Sequence, residues 1–196
     1  MRQSSSKIKL IVGLGNPGSE YRGNRHNAGA DFVTELARQL GASLQPESKF
    51  YGRASRIQSS TMDVRLLIPT TFMNRSGQSV SALAKFYKID TADILVAHDE
   101  LDFEPGIARL KDAGGHGGHN GLRDISKAMG GNYLRLRIGI GHPGSAAQVS
   151  NYVLSRPSVS DRQLIDNSIA DAIDALPLLL DGDWAKATHK LHTSTG

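Results

Sequence analysis

The chain has 196 residues and no cysteine, a length that suits one domain with its own core and a composition that excludes disulfide frameworks and thiolate chemistry. No apolar run approaches a membrane span, and the start, MRQSSSK, lacks the apolar stretch of a secretion signal, so a soluble cytoplasmic protein is expected. The net charge is +4, yet Ser158 to Asp183 holds six aspartates against Arg162 alone, a net of −5 that leaves +9 elsewhere. Such a basic body suits a polyanionic partner, with ordinary solvated charge as the alternative.

No repeat, low-complexity tract or linker divides the chain, so one domain over residues 1–196 is expected, with Met1–Ser6 as a flexible lead. Lys7–Leu14 is short, apolar and β-branched, a buried strand that runs into a polar loop ending at His26. Asn27 then suits the N-cap of a helix to about Leu40, with Phe32, Val33, Leu36, Ala37 and Leu40 on one face and Gly41 at its end. Phe50–Gln58 and Met62–Ile68 flank Ser59-Ser60-Thr61 and read as neighbouring antiparallel strands. Pro69 stops the second, and PTTFMNRSGQ leads into a helix over Ser76–Tyr87. Ile94–His98 is a short strand ending in Asp99-Glu100-Leu101-Asp102, and Ile107–Lys111 is another, followed by the glycine-dense Gly114–Gly121.

A helix over Leu122–Met129 precedes the strand Leu134–Gly141, where Leu134, Leu136, Ile138 and Ile140 alternate with Arg135, Arg137, Gly139 and Gly141. Two guanidiniums beside bare glycine backbone suit either the close approach of a bulky anion or a solvated sheet face. Helices over Ala146–Leu154, Asp161–Leu176 and Trp184–His192 complete the chain, with Pro177 expected to end or kink the second. Strands alternating with helices, plus one hairpin-like pair, specify an α/β fold: a twisted mixed sheet covered by helices on both sides.

Gly13-Leu14-Gly15-Asn16-Pro17-Gly18 has the form GxGxxG after a strand. Pro17 and the polar Ser19–Arg25 stand where the dinucleotide motif needs a helix, and no acidic residue ends a second strand about 20 residues on, so nicotinamide binding is disfavoured. Asn16, extended because Pro17 follows it, can instead hold its amide at the strand end to position a water or an oxyanion. His26 is the one loop residue able to move a proton near pH 7, and as a general base it needs a carboxylate to fix its tautomer. Asp99, at a strand's carboxyl end, is the best placed. Asp102 fits better as a turn residue before Pro105-Gly106, and strand alternation turns His98 away from the site as a structural residue. Asn74 is the third polar group at a strand-to-loop transition. His116 and His119 invite a metal through HGGH, but the glycines make a pliant loop without Cys or Glu. Those glycines better suit close approach to a large ligand contacted by Asn120 and Lys111.

Taken together, GLGNPGSEYRGNRHNAG (Gly13–Gly29), PTTFMNRSG (Pro69–Gly77), AHDELD (Ala97–Asp102), GGHGGHNGL (Gly114–Leu122) and RLRIGIGHPG (Arg135–Gly144) resemble the bacterial-type peptidyl-tRNA hydrolase family, in family order from Leu10 to about Leu154. The resemblance implies a monomeric cytoplasmic enzyme that cleaves the ester between a peptide and the 3′-terminal ribose of tRNA, recycling tRNA from aborted translation. An ester has a better leaving group than an amide, so no metal, cofactor or covalent intermediate is expected. By motif, His26 matches the catalytic histidine, Asp99 its carboxylate partner, and Asn16 and Asn74 the two site asparagines. Asn120 matches a third asparagine at the substrate, and Tyr21 and Met73 the pocket lining, where we also place Phe72 and His119. Lys111 and Arg137 match positions at the tRNA 5′-phosphate, with Arg135 grouped beside them, and the 3′-terminal adenosine is expected in the pocket. Two rivals stay open on the residues alone: a metal-dependent hydrolase using His116, His119 and Asp99, and a non-catalytic RNA-binding module.

Overall fold

The structure, a computed structural model, describes residues 7–194, so the expected lead Met1–Ser6 lies outside the described residues. Seven strands, β1 (Leu10–Gly13), β2 (Gln45–Glu47), β3 (Gly52–Gln58), β4 (Asp63–Pro69), β5 (Ile94–Glu100), β6 (Ala108–Asp112) and β7 (Leu134–Gly139), form one mixed sheet in the order β2-β3-β4-β1-β5-β7-β6. β4, β1, β5 and β7 run parallel at its centre, and β3 and β6 are antiparallel to their inner neighbours. Central parallel strands are covered on both faces, which explains why LIVG and ILVAH are unbroken buried runs while β3, further out between β2 and β4, is mostly exposed or half-buried.

Helices α1 (Ala28–Gln39), α5 (Val159–Leu180) and α6 (Trp184–Ser194) cover one face, over a core that includes Phe32, Leu36, Leu95, Leu136, Ile169 and Leu176. Helices α2 (Ser76–Phe86) and α3 (Asn120–Met129) cover the other, over Val12, Leu67, Leu83, Val96, Leu122 and Tyr133. The expected mixed sheet with helices on both sides is therefore present, and the pairing of β3 with β4 brings Gly52 opposite Pro69. A short helix, α4 (Val149–Val153), links β7 to α5. Among the described residues no helix is long and apolar enough to cross a membrane.

Four expectations need correction. β2 was not expected; it is a three-residue edge strand containing Pro46, a place where a missing N–H costs least. β5 continues past His98 because Asp99 and Glu100 still pair with Ile138 and Gly139 of β7. β7 itself stops at Gly139 instead of Gly141, which sits at φ 77. Pro177 does not end α5, which runs on to Leu180. The proline lies in the last turn with its ring exposed, while Leu176 and Leu179 on either side are buried and hold that turn to the core. Lys190 Nζ donates to the nearby Asp174 carbonyl at 3.0 Å.

The chain leaves β1, reaches β4 on one side, and returns through α2 to β5 on the other. β1 is thus a switch point, and a crevice opens beyond the carboxyl ends of these strands.

Candidate active site

Every strand end at that crevice delivers a polar group: Asn16 follows β1, Asn74 follows β4, and Asp99 lies near the end of β5. His26 comes from a 3₁₀ turn, Arg25–Asn27, that leads directly into α1. Close backbone packing seats that turn. A Cβ on Gly29 would lie 2.1 Å from the Ala97 carbonyl oxygen, and one on Gly13 would lie 2.3 Å from the Gly29 carbonyl. Only glycine at both positions lets the first turn of α1 lie on β1 and β5, which carries His26 to Asp99. Asn16, His26, Asn74, Asp99 and His119 all line one cavity of about 690 Å³.

Asp99 is the hub. His26 Nδ1 lies 2.9 Å from Asp99 Oδ2, and His119 Nε2 lies 2.9 Å from Oδ1. The tautomers follow from the other bonds. His119 caps α3, its Nδ1 accepting from the N–H groups of Gly121 (3.1 Å) and Leu122 (3.3 Å), so its proton must sit on Nε2 and be donated to Asp99. The carboxylate likewise draws the His26 proton to Nδ1, which leaves His26 Nε2 with a lone pair for the cavity. Burial raises the cost of the Asp99 charge, but the two histidines outweigh it and hold the carboxyl well below the usual range. For His26, burial disfavours the imidazolium, yet the charge and hydrogen bond of Asp99 prevail and its pKa ends above the ordinary value.

Asn16 is fixed by three bonds. Its Oδ1 accepts the Met73 N–H at 2.8 Å, its backbone N–H donates to Asn27 Oδ1 at 2.9 Å, and its carbonyl accepts from Asn27 Nδ2 at 3.1 Å. With Oδ1 engaged, what Asn16 can still offer is the NH₂ end, a donor suited to a developing oxyanion. Asn27 precedes α1 as expected but makes no capping bond, because its side chain clamps Asn16 instead. Its role was not read from the sequence, where the local capping rule accounted for it. Asn74 and Asn120 are exposed residues of the cavity wall, and Asn120 Oδ1 accepts from Arg123 at 3.2 Å.

Met73 is buried and Phe72 is 57% exposed, and both line the cavity. Tyr21 meets Phe72 edge to face at 6.4 Å and is not itself a wall of the cavity. Lys111 and Arg137 both border the cavity, but Arg137 already pairs with Glu100 at 2.6 Å and lies over the Phe103 ring. Arg135 borders the cavity too, but it is not on an open face, being 2% exposed and bound to the carbonyls of Gly114 and Gly115. Alternation placed Arg135 on the correct side of β7; it gave no sign that a loop covers it.

His98 also departs from expectation. It pairs in register with Arg137 and not with the Asp99 side of the sheet, but the cavity wraps around the end of β5 and His98 lines it, 5.2 Å from the His119 ring. Its Nδ1 donates to the Asp99 carbonyl at 2.8 Å, and burial, with the neighbouring His119, pushes its pKa down to about 3. It is a neutral residue of the wall.

Among the described residues the one group of donors close enough for a metal is His26, Asp99 and His119, within 4.8 Å of one another. His116 stands outside it, its Nδ1 accepting from Gly118 N–H at 3.0 Å. A cation on His119 Nε2 would need that nitrogen deprotonated while Nδ1 still caps α3, which is an imidazolate. The bonding pattern suits proton sharing better than a cation.

A family model described as peptidyl-tRNA hydrolase matches residues 10–196. A peptidyl-tRNA hydrolase of Saccharophagus degradans is 55% identical over 197 residues, spanning 100% of both chains. One of Shewanella sediminis is 56% identical over 193 residues, covering 97% of this chain and 100% of its own. The crystal structure of peptidyl-tRNA hydrolase from Acinetobacter baumannii matches with a TM-score of 0.93 and 52% identity over 95% of each chain.

Proposed function

This chain belongs to the peptidyl-tRNA hydrolase family and is a peptidyl-tRNA hydrolase, and from that premise we propose that His26 is its general base. The observation that carries this is the orientation of the ring: Nδ1 is held on Asp99, so Nε2 is left as the base at the cavity. His26 Nε2 takes a proton from a water that Asn74 orients, and the resulting hydroxide attacks the ester carbonyl between peptide and 3′-terminal ribose. Negative charge gathers on the carbonyl oxygen and meets the Asn16 amide and nearby backbone N–H groups. Collapse of the tetrahedral species breaks the bond to the ribose oxygen, which leaves with the proton carried by His26. Peptide carboxylate and free tRNA result, with no covalent intermediate and no metal. The setting we propose is the cytoplasm, where the chain acts as a monomer and returns tRNA from aborted translation.

A base works only when neutral, so kcat/KM falls as the pH drops through the His26 pKa. Because that pKa lies above the ordinary 6.5, the acid limb of the pH–rate profile should lie above the position of an unperturbed histidine. A profile flat from pH 5 to 8 would remove His26 from the base role.

Selectivity for RNA is assigned to the acceptor end, with the 3′-terminal adenosine in the cavity beside Phe72, Met73 and Asn120, and the 5′-phosphate at Lys111 and Arg137. Lys111→Ala and Arg137→Ala should each raise KM for peptidyl-tRNA while a minimal N-acyl aminoacyl ester is turned over nearly as before. Arg137→Ala should be the more damaging, since it also frees the Glu100 carboxylate to repel phosphate. Equal losses on both substrates would argue against a phosphate site here.

A further inference from the structure

Residues Ala113 to Gly118 link β6 to α3, and the backbone is left-handed at Ala113 (φ 57), Gly114 (φ 120), Gly117 (φ 56) and Gly118 (φ 82). Such a segment has little side-chain surface with which to pack, so its path depends on polar contacts. The guanidinium of Arg135 supplies two of them. Nη1 donates to the Gly115 carbonyl and Nη2 to the Gly114 carbonyl, the bidentate geometry for which arginine is built. Beneath it lies the Tyr133 ring, 4.6 Å from the guanidinium carbon. Tyr133 is fully buried and its hydroxyl donates to the Leu122 carbonyl of α3 at 3.3 Å. Arg135 thus joins the start of the glycine loop to the helix at its other end.

What that loop delivers is His119. Its N–H donates to the His116 carbonyl at 2.9 Å, its Nδ1 caps α3, and its Nε2 donates to Asp99. We infer that Arg135 is a positioning residue: by holding the Gly114 and Gly115 carbonyls it sets the loop on the path that brings His119 to Asp99 and Asn120 to the cavity. Although it borders the cavity, it does not serve as a phosphate contact, since both terminal nitrogens are engaged and it is 2% exposed. This rests on the reading of the site as an ester-hydrolysing one.

The test compares Arg135→Met and Arg135→Lys with the wild-type chain on peptidyl-tRNA and on a minimal N-acyl aminoacyl ester. In Arg135→Met, kcat should fall about ten- to a hundredfold on both substrates, the scale of loss for a catalytic group displaced by an ångström. KM for peptidyl-tRNA and its salt dependence should stay near wild type. The amide protons of Gly121 and Leu122, which His119 caps, should exchange faster with solvent. Arg135→Lys keeps the charge but not the fork, so it should not restore kcat, and it provides the same readings if Arg135→Met does not fold. A raised KM confined to peptidyl-tRNA with a flatter salt dependence, full rescue by lysine, or unchanged exchange at Gly121 and Leu122 would overturn the assignment. The exchange reading does not depend on turnover: a wild-type chain inactive on both esters would defeat the ester-hydrolysis reading and leave the loop anchor still testable.

Discussion

His26→Ala should give a folded protein whose turnover of peptidyl-tRNA at saturating substrate is reduced by at least ~10²–10⁴-fold, the contribution of a positioned general base. The ring gives Asp99 one of its two side-chain donors, so its loss leaves a buried carboxylate with His119 alone. A hydrogen bond to a charged group is worth about 1.5–3 kcal/mol, less than the ~5–15 kcal/mol that holds a typical domain together, so the fold should survive with a lowered Tm. Substrate affinity should change little, because the basic contacts at Lys111 and Arg137 are untouched. A folded variant with near-full turnover would remove His26 from the chemistry.

Asp99→Asn should be at least as damaging, although it only exchanges one carboxylate oxygen for an NH₂ group of nearly the same size. Two N–H donors now converge on one carboxylate, and an amide has a single oxygen to offer. His119 cannot yield, because its Nδ1 is committed to Gly121 and Leu122. Its Nε2–H therefore takes the amide oxygen, and the amide NH₂ faces His26 Nδ1. That nitrogen must then accept, which moves the proton to Nε2 and removes the lone pair that the water needs. A wrong tautomer of this kind costs about 10⁴-fold in kcat. Loss of the negative charge should also lower the His26 pKa and shift any residual acid limb to lower pH. Wild-type kinetics in Asp99→Asn would show that the carboxylate does not set the tautomer.

The parts of the site that could be read in advance are those that local rules place. A β-branched run followed by Asn16-Pro17 marks a strand end, and a second strand ending near Asp99 marks another. The topology of an open α/β sheet then brings both to one crevice. What could not be read depends on contacts remote in sequence. Asn27 satisfies a capping rule, but its side chain is taken by Asn16, 11 residues earlier. His119 in a glycine-rich loop is expected at the substrate pocket, and only the fold shows that it caps α3 and shares Asp99 with His26. Alternation along β7 gives the side on which Arg135 projects; burial of that side by the loop at Gly114 and Gly115 is a tertiary fact. Pro177 is a local helix breaker overruled by the burial of Leu176 and Leu179.

Release of tRNA from peptidyl-tRNA by chelator-treated protein in ¹⁸O-labelled water is the most direct measurement of the proposed chemistry. Attack of a His26-activated water on the carbonyl should give undiminished turnover, with the label in the peptide carboxylate and none in the 3′-hydroxyl of the tRNA. Activity lost to the chelator and restored by a divalent metal, or label in the ribose oxygen, would contradict it.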